Sequence, residues 1–237
     1  MKDPKTTNQR KRKAIFCLIL LIFISLFVLL FFILPEIRWR KEIAKLQNAQ
    51  IGDVISFGGY VSFDFGAKNS VLGLYQNNEW IVLDRQGDQI LLQSNYTVNY
   101  ITSDNFNSLW PVSDMNVWLN NFYYNAAFSS KEKNIIMTTI CDCNFLEDWS
   151  WYSSSDSDDK VFLLSYDEYN KYFLNQTSAK RMSKATGSYE SYWLRTAAKD
   201  AGYYMLVTDS GSLDTVGTSA LQGGYIVPAI WIDISNL

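Results

Sequence analysis

The sequence predicts a mixed α+β domain with a mainly antiparallel sheet and short flanking helices, preceded by one N-terminal transmembrane helix. Three observations lead to this prediction. An uncharged apolar run fills residues 14–34. Strand-like and helical segments then follow each other without the βαβ rhythm of a parallel sheet. Cysteine is scarce, with three in 237 residues, so the fold does not depend on a disulfide framework.

The apolar run has the length of a membrane span. Residues 14–34 carry no charge, and their only weakly polar members are Cys17 and Ser25. A bilayer core needs about 20 apolar helical residues. The alternative is a cleaved signal peptide, which has an apolar core of about 7–15 residues and a small-residue cleavage site. Residues 35–39 (PEIRW) offer no such site, so we expect an uncleaved anchor.

Positive charge near the ends of the run predicts its orientation. Six Lys and Arg residues precede the run and four follow it within residues 35–45. The N-terminus should therefore face the cytoplasm. The predicted organisation is a basic cytoplasmic tail at 1–13, the transmembrane helix at 14–34, a juxtamembrane stalk at 35–50 and an extracellular domain at 51–237.

Charge and composition exclude several classes of function. Residues 46–237 hold 11 Lys or Arg and 21 Asp or Glu, a strongly acidic balance. Such a domain repels nucleic acids and anionic wall polymers, but it accepts neutral glycans, cationic peptides or divalent cations. Solubility alone also explains an acidic surface. Because the chain has no His, Ser-His-Asp and Cys-His nucleophilic sites and the usual zinc sites are excluded.

The first half of the domain reads as strands followed by helices. Residues 51–57 and 60–65 are predicted strands, separated by Gly58 and Gly59. Residues 80–84 and 89–93 form a hairpin around a turn at 85–88. After Pro111 the apolar period becomes helical, with Ser113 or Asp114 as the N-cap, and residues 129–132 open a second short helix. The helically spaced apolar residues are Met115, Trp118, Leu119, Phe122 and Ala126.

The second half adds one helix and four strands. Ser165 and Glu168 form a capping box, which predicts a helix through Tyr169, Tyr172 and Phe173. The predicted strands are residues 161–164, 192–196, 203–208 and 225–234.

Several segments, in this order, resemble a large bacterial family known as domain of unknown function 6273. The resemblance covers about residues 51–232 and implies a surface or secreted protein of Gram-positive or gut bacteria, without an assigned activity. The segments that carry it are IGDVISFGGY (51–60), WIVLDRQGDQILLQS (80–94), VWLNNFYYNAAFSSKEKNII (117–136), DKVFLLSYDEYNKYF (159–173), SYWLRT (191–196), a Val-x-x-x-Gly turn (207–211) and GYIVPAIWI (224–232).

The C-terminal segment is also similar to the last strand of C-type-lectin-like and formylglycine-generating-enzyme-like domains, which implies a C-type-lectin-like fold. Val227 stands where the resembled family usually has an Arg before Pro-Ala. Any ion pair made by that Arg is therefore missing from this chain.

Charged and thiol residues suggest three structural or metal sites. Arg195 lies in an apolar strand and needs a partner, for which Asp84 is the predicted carboxylate of a structural ion pair. The Ser/Asp-rich loop around 150–160 could hold calcium or be solvated linker. Cys141 and Cys143 predict a local disulfide or two idle thiols, because one intervening residue does not make a thioredoxin motif. The loop acids are Asp156, Asp158 and Asp159.

The predicted ligand platform is Trp149, Trp151 and Tyr152, which lie beside the acidic loop without a periodic reason to be buried. The resulting hypothesis is a single-pass, membrane-anchored extracellular binding or scaffolding domain at the bacterial cell envelope. Its ligand would be a glycan, a peptide or an envelope protein, with no cofactor except calcium. The alternatives are an enzyme like the formylglycine-generating oxidases and a structural subunit of an envelope membrane complex.

Overall fold

The computed structural model describes residues 4–60, 76–102, 109–142, 156–173, 176–184, 186–200 and 202–237. The chain divides into two compact units, Met1–Leu46 and Gln47–Leu237. Helix α1 (Pro4–Val28), a π-helical turn at Leu29–Ile33 and helix α2 (Leu34–Asn48) follow one another without a break. Among the described residues, one helix is long and apolar enough to cross a membrane, with a mean hydropathy of 3.4 over its most apolar stretch.

The second unit is built from short strands and short helices. Its helices are α3 (Asp114–Val117), α4 (Tyr124–Ala127), α5 (Ser130–Lys133), α6 (Tyr166–Tyr172) and α7 (Gln176–Ala179). Its strands are β1 (Val54–Tyr60), β2 (Gln76–Gln86), β3 (Gln89–Ser94), β4 (Tyr96–Thr97), β5 (Asn99–Ile101), β6 (Thr139–Cys141), β7 (Ser157–Asp159), β8 (Arg181–Ser183), β9 (Tyr189–Glu190), β10 (Tyr192–Ala197), β11 (Tyr203–Val207), β12 (Leu213–Ser219), β13 (Gly224–Ile226) and β14 (Ala229–Asp233).

Two larger sheets organise this unit. The first has the order β1-β2-β3-β14 and is antiparallel throughout, whereas the second has the order β12-β11-β10-β13-β5 and contains one parallel pair, β10 with β13. Smaller sheets join β4-β8-β9 and β6-β7. The predicted α+β class with mainly antiparallel pairing is confirmed.

The hairpin predicted around residues 85–88 is present. Strands β2 and β3 pair from Trp80 opposite Ser94 to Gln86 opposite Gln89. Gly87 has a φ of +64°, which glycine adopts at little cost, so the strands can reverse in a tight turn. Val82 and Ile90 of this hairpin are fully buried.

Two predicted strand boundaries are wrong. Residues 225–234 form two strands, β13 and β14, in different sheets, because Pro228 lacks the N–H group that a continuous ladder needs. Its carbonyl oxygen instead accepts from Ser94 N at 2.8 Å. Strand β1 does not stop at Gly58 and Gly59 but continues through them with a shift in register.

The helix after Pro111 does not keep a regular α-helical period. Ser113 caps α3, accepting from Asn116 N at 3.0 Å, as one of the two predicted N-caps. A π-helical stretch then occupies Trp118–Tyr123. Its wider turns place Tyr123 and Ala127 in the core and leave Phe122 and Ala126 exposed, so the apolar face predicted from α-helical spacing is wrong at Phe122 and Ala126.

Candidate functional site

An aromatic cleft lies on the second larger sheet, where β5, β13 and β10 are neighbours. It has a volume of about 280 Å³ and is lined by residues that include Tyr100, Glu190, Trp193, Thr218 and Tyr225. Pockets for drug-sized ligands usually span about 300–1,000 Å³. This cleft is smaller, so it suits one side chain or one sugar ring.

Strand register positions the two tyrosines of the cleft. Tyr100 of β5 stands directly opposite Tyr225 of β13, and their rings meet edge to face with centroids 5.1 Å apart. Tyr100 is 43% exposed, yet its hydroxyl donates to the carbonyl oxygen of Gln222 at 2.7 Å. The ring is therefore held at both ends while part of its surface stays open to solvent.

Two glycines allow the rings to approach the backbone. A Cβ atom on Gly224 would lie 2.5 Å from Cε2 of Trp193, and one on Gly223 would lie 2.5 Å from Cε1 of Tyr100. Gly223 also has a φ of +78°, which side chains rarely adopt. Any larger residue would displace the rings, so these glycines are part of the site.

Glu190 supplies the negative charge of the cleft. It ends β9 and is half-buried. Its Oε1 atom accepts from Thr186 Oγ1 at 2.7 Å. The ion pairs found among the described residues do not include Glu190, and the described lining of the cleft contains no Lys or Arg. The cleft therefore combines aromatic surface with an unneutralised carboxylate.

This combination of groups can bind a ligand. Aromatic faces attract apolar surfaces and cations, and a single carboxylate can orient a donor. Sequence analysis missed the site because its residues belong to strands far apart in the chain. The available signal was an aromatic residue beside Gly-Gly at 223–225.

The predicted aromatic platform lies outside the described residues. Trp149, Trp151 and Tyr152 fall in the range 143–155, as does Cys143. Their role in ligand binding stays a prediction.

Arg195 forms a structural ion pair, but its predicted partner is wrong. Its guanidinium donates to Glu168 Oε2, to Asp142 Oδ1 at 2.6 Å and to the carbonyl oxygen of Leu163 at 2.9 Å. The Arg195 side chain is only 5% exposed. Burial acts to lower the pKa of Arg195, but the negative charge of Glu168 and the further groups around it outweigh burial and raise it.

Helix α6 explains why Asp84 does not reach Arg195. The first turn of α6 places Glu168 against Arg195, and its last turn places Lys171 against Asp84. Asp84 Oδ2 accepts from Lys171 Nζ at 3.1 Å and from the Tyr172 hydroxyl at 3.0 Å. The two ends of one helix thus neutralise charges that sequence analysis had paired with each other.

The three loop aspartates do not come together. Along β7, Asp158 is exposed and Asp159 is buried, as successive strand residues face opposite sides. Asp159 accepts from Trp110 Nε1 at 2.7 Å, Asn116 Nδ2 at 2.8 Å and Ser157 Oγ at 2.8 Å. Asp156 is exposed. Within the described ranges, no three Cys, Asp or Glu side chains gather to hold a metal ion.

Cys141 is a buried free thiol. Burial is the main cause that raises its pKa well above the ordinary range. A thiol that resists ionisation is a poor nucleophile and a poor metal ligand. For Cys141, the structure matches the idle thiol and not the disulfide.

Comparison with known proteins identifies a family. A family model described as a domain of unknown function, DUF6273, matches residues 77–234. The matched region is about two thirds of the chain and includes every cleft residue named above. No curated protein and no solved structure matches the chain.

Proposed function

This chain belongs to the DUF6273 family, and we propose that it is a membrane-anchored, extracellular binding domain of the bacterial cell envelope whose ligand enters the aromatic cleft. One observation carries the proposal: a cleft of about 280 Å³ with tyrosine rings and an unneutralised carboxylate. A cluster of exposed aromatic residues at a cleft often marks an interaction site, whereas single exposed aromatic residues need no explanation.

The position of the ligand site on strands supports binding by a preformed surface. Tyr100 and Tyr225 are held by direct strand pairing, and the Tyr100 hydroxyl is bonded to the backbone. Ligand binding therefore costs little conformational entropy in these rings, and affinity rises when a site is preorganised.

The proposed location at the envelope is supported by the N-terminal helix and its flanking charges. The helix has the length and apolarity of a membrane span. The excess of Lys and Arg before the span favours a cytoplasmic N-terminus and an extracellular second unit. A C-type-lectin-like relationship belongs to the same proposal, and the prevalence of antiparallel pairing is compatible with it.

The alternative of a formylglycine-generating type of oxidase has less support. Such chemistry would require a reactive thiol, and Cys141 is buried with a raised pKa. The cleft also lies on a different sheet from Cys141, which belongs to β6. A binding domain fits the described residues better than this enzyme.

A thermal-shift titration of the full chain in lipid nanodiscs tests the proposal. The ligands are neutral sugars, short peptides and small amines. A ligand at 100 times its Kd adds about 2.7 kcal/mol to the free energy of unfolding, which is measurable. We expect at least one of them to stabilise the wild type and to lose this effect with Tyr100→Ala.

Tyr189→Ala is the matched control, because Tyr189 is similarly exposed at 49% but does not line the cleft. Tyr100→Phe keeps the ring and should retain most of the binding. Stabilisation by no ligand, or stabilisation that persists in Tyr100→Ala, would contradict the proposed function.

A further inference from the structure

We infer that the group bound in the cleft is an alkylammonium ion, such as the end of a lysine-like side chain. This inference rests on the proposed function and specifies the chemical class of its ligand. Three independent features of the cleft and its surroundings lead to it: the unpaired charge of Glu190, the uncovered ring of Tyr100 and the size of the cavity.

Glu190 lacks the cation that two other partly buried carboxylates of this unit possess. In the described residues it also accepts fewer hydrogen bonds than the buried Asp159, which has three neutral donors in place of a cation. Glu168 pairs with Arg195, and Asp84 pairs with Lys171. Glu190 has only the neutral hydroxyl of Thr186 as a partner among the described residues. A half-buried carboxylate is stabilised by an opposite charge more than an exposed one is, because the local dielectric is lower. A ligand cation would supply that charge.

Tyr100 lacks the lysine that covers other tyrosines of this unit. The Nζ atom of a lysine lies over the ring of Tyr172 at 4.6 Å, of Tyr96 at 4.3 Å, of Tyr124 at 5.1 Å and of Tyr189 at 5.3 Å. No such contact exists for Tyr100 in the part of the chain that the structure describes. Cations favour ring faces within about 6 Å, and a ligand ammonium at Tyr100 would repeat a contact that this domain already uses four times.

The volume of the cavity and the acidic net charge of residues 46–237 favour a narrow, unbranched cation as the ligand. About 280 Å³ accommodates a single unbranched side chain. The rings of Tyr100, Trp193 and Tyr225 form one part of the lining, which suits a methylene stem that ends in a charge. The acidic balance of residues 46–237 would attract cations and repel anions on approach. Glu190 would then pair with the ammonium while the tyrosine rings contact the stem.

Paired ligands that differ only in charge test this inference. We would measure binding of n-butylammonium and of n-butanol to the full chain in nanodiscs by saturation-transfer NMR, which detects millimolar affinities. A second pair is Nα-acetyl-lysine amide and its Nε-acetylated form. We expect each amine to bind at least tenfold more tightly than its neutral partner.

Two variants connect the effect to the site. Glu190→Gln removes the charge and keeps the shape, so it should weaken amine binding at least tenfold and leave the neutral ligands unchanged. Asp88→Asn is the control, because it makes the same change of net charge at an exposed turn of the other large sheet. It should leave binding within about twofold of the wild type.

The outcomes separate this inference from the proposed function. Equal binding of amines and neutral partners that depends on Tyr100 would overturn the ammonium assignment and leave the binding function in place. Amine binding that is unaffected by Glu190→Gln would also overturn the assignment. Absence of any ligand binding that depends on Tyr100 would overturn both.

Discussion

Glu168 and Glu190 are both partly buried glutamates next to strand β10, yet their surroundings are opposite. Glu168 accepts from its own helix cap at Ser165 N and from the guanidinium of Arg195. Glu190 accepts from one neutral hydroxyl. The first region is a closed network in which the guanidinium of Arg195 pairs with two carboxylates, those of Glu168 and Asp142. The second is an open cleft with a charge left over.

This difference separates residues that hold the fold from residues available to a ligand. A buried ion pair such as that of Arg195 is costly to break, because removing one partner leaves an uncompensated charge. Glu190, which is half-buried and accepts from one neutral hydroxyl, can be altered with little effect on the fold. Stability measurements should therefore distinguish the two regions before any ligand is known.

Among the variants considered, Arg195→Met is expected to have the largest effect on the free energy of unfolding. The variant leaves Glu168 and Asp142 without their shared cation and should lower the free energy of unfolding by about 3–5 kcal/mol. Urea titration of the full chain in detergent, followed by tryptophan fluorescence, measures this loss. Lys171→Met is the control, since that lysine is 59% exposed and pairs at the surface, and it should cost no more than about 1 kcal/mol.

A smaller effect is expected for Ser165→Ala. Ser165 is buried and its hydroxyl accepts from Glu168 N at 3.1 Å, so losing this cap should cost about 1 kcal/mol. The variant also removes a hydrogen bond that positions Glu168, the ion-pair partner of Arg195. Ser129→Ala breaks the equivalent capping box of α5, where the hydroxyl bond is longer at 3.4 Å and no guanidinium depends on it. Equal losses for the two variants would count against coupling between cap and ion pair.

The free energy of unfolding should also depend on pH through Asp84, with an effect similar to or smaller than that of Ser165→Ala. Burial acts to raise the pKa of Asp84, but hydrogen bonds from Lys171, Gln86, Tyr172 and Arg85 N outweigh burial and lower it. A carboxyl group whose pKa is lowered by folding stabilises the folded state fully at pH values above its unfolded-state pKa. This stabilisation is lost as the pH falls through its folded-state pKa. Urea midpoints of wild type and Asp84→Asn should therefore differ by at most about 1 kcal/mol at pH 6. The difference should shrink below about pH 4, and a difference that grows there would refute this assignment.

In the absence of ligand, Glu190→Gln is expected to have the smallest effect on the free energy of unfolding. The amide oxygen can still accept from Thr186, and no ion pair is lost, so stability should stay within about 0.5 kcal/mol of the wild type. The same urea titration measures it. A loss comparable to that of Arg195→Met would show that Glu190 belongs to the fold and not to the cleft surface.

Local sequence signals predicted the elements that depend on neighbouring residues. The hairpin of β2 and β3, the capping box at Ser165 and the apolar N-terminal helix all follow from patterns a few residues long. Strand β12 was not predicted, because its Asp and Gly residues have low strand propensity and interrupt the β-branched residues. Its pairing with β11 overrides that propensity.

The cleft and the partner of Arg195 could not be predicted, because they depend on long-range topology. Tyr100 and Tyr225 are 125 positions apart and meet only through the pairing of β5 with β13. Arg195 could be assigned a need for a carboxylate from its apolar surroundings. Choosing Glu168 over Asp84 required the position of α6, which no local pattern encodes.

The last strand has a consequence for how the protein is made. Strand β14 pairs with β3 along its whole length and also forms bridges to Ile136 and Phe162. Ile230 and Ile232 within it are fully buried. In the chain, β14 follows β3 by more than 130 residues, so one edge of β3 stays unpaired during synthesis until β14 has emerged from the ribosome. A chain truncated before β14 would therefore expose the edge of β3 and the apolar core that Ile230 and Ile232 complete, and quality-control proteases would degrade it.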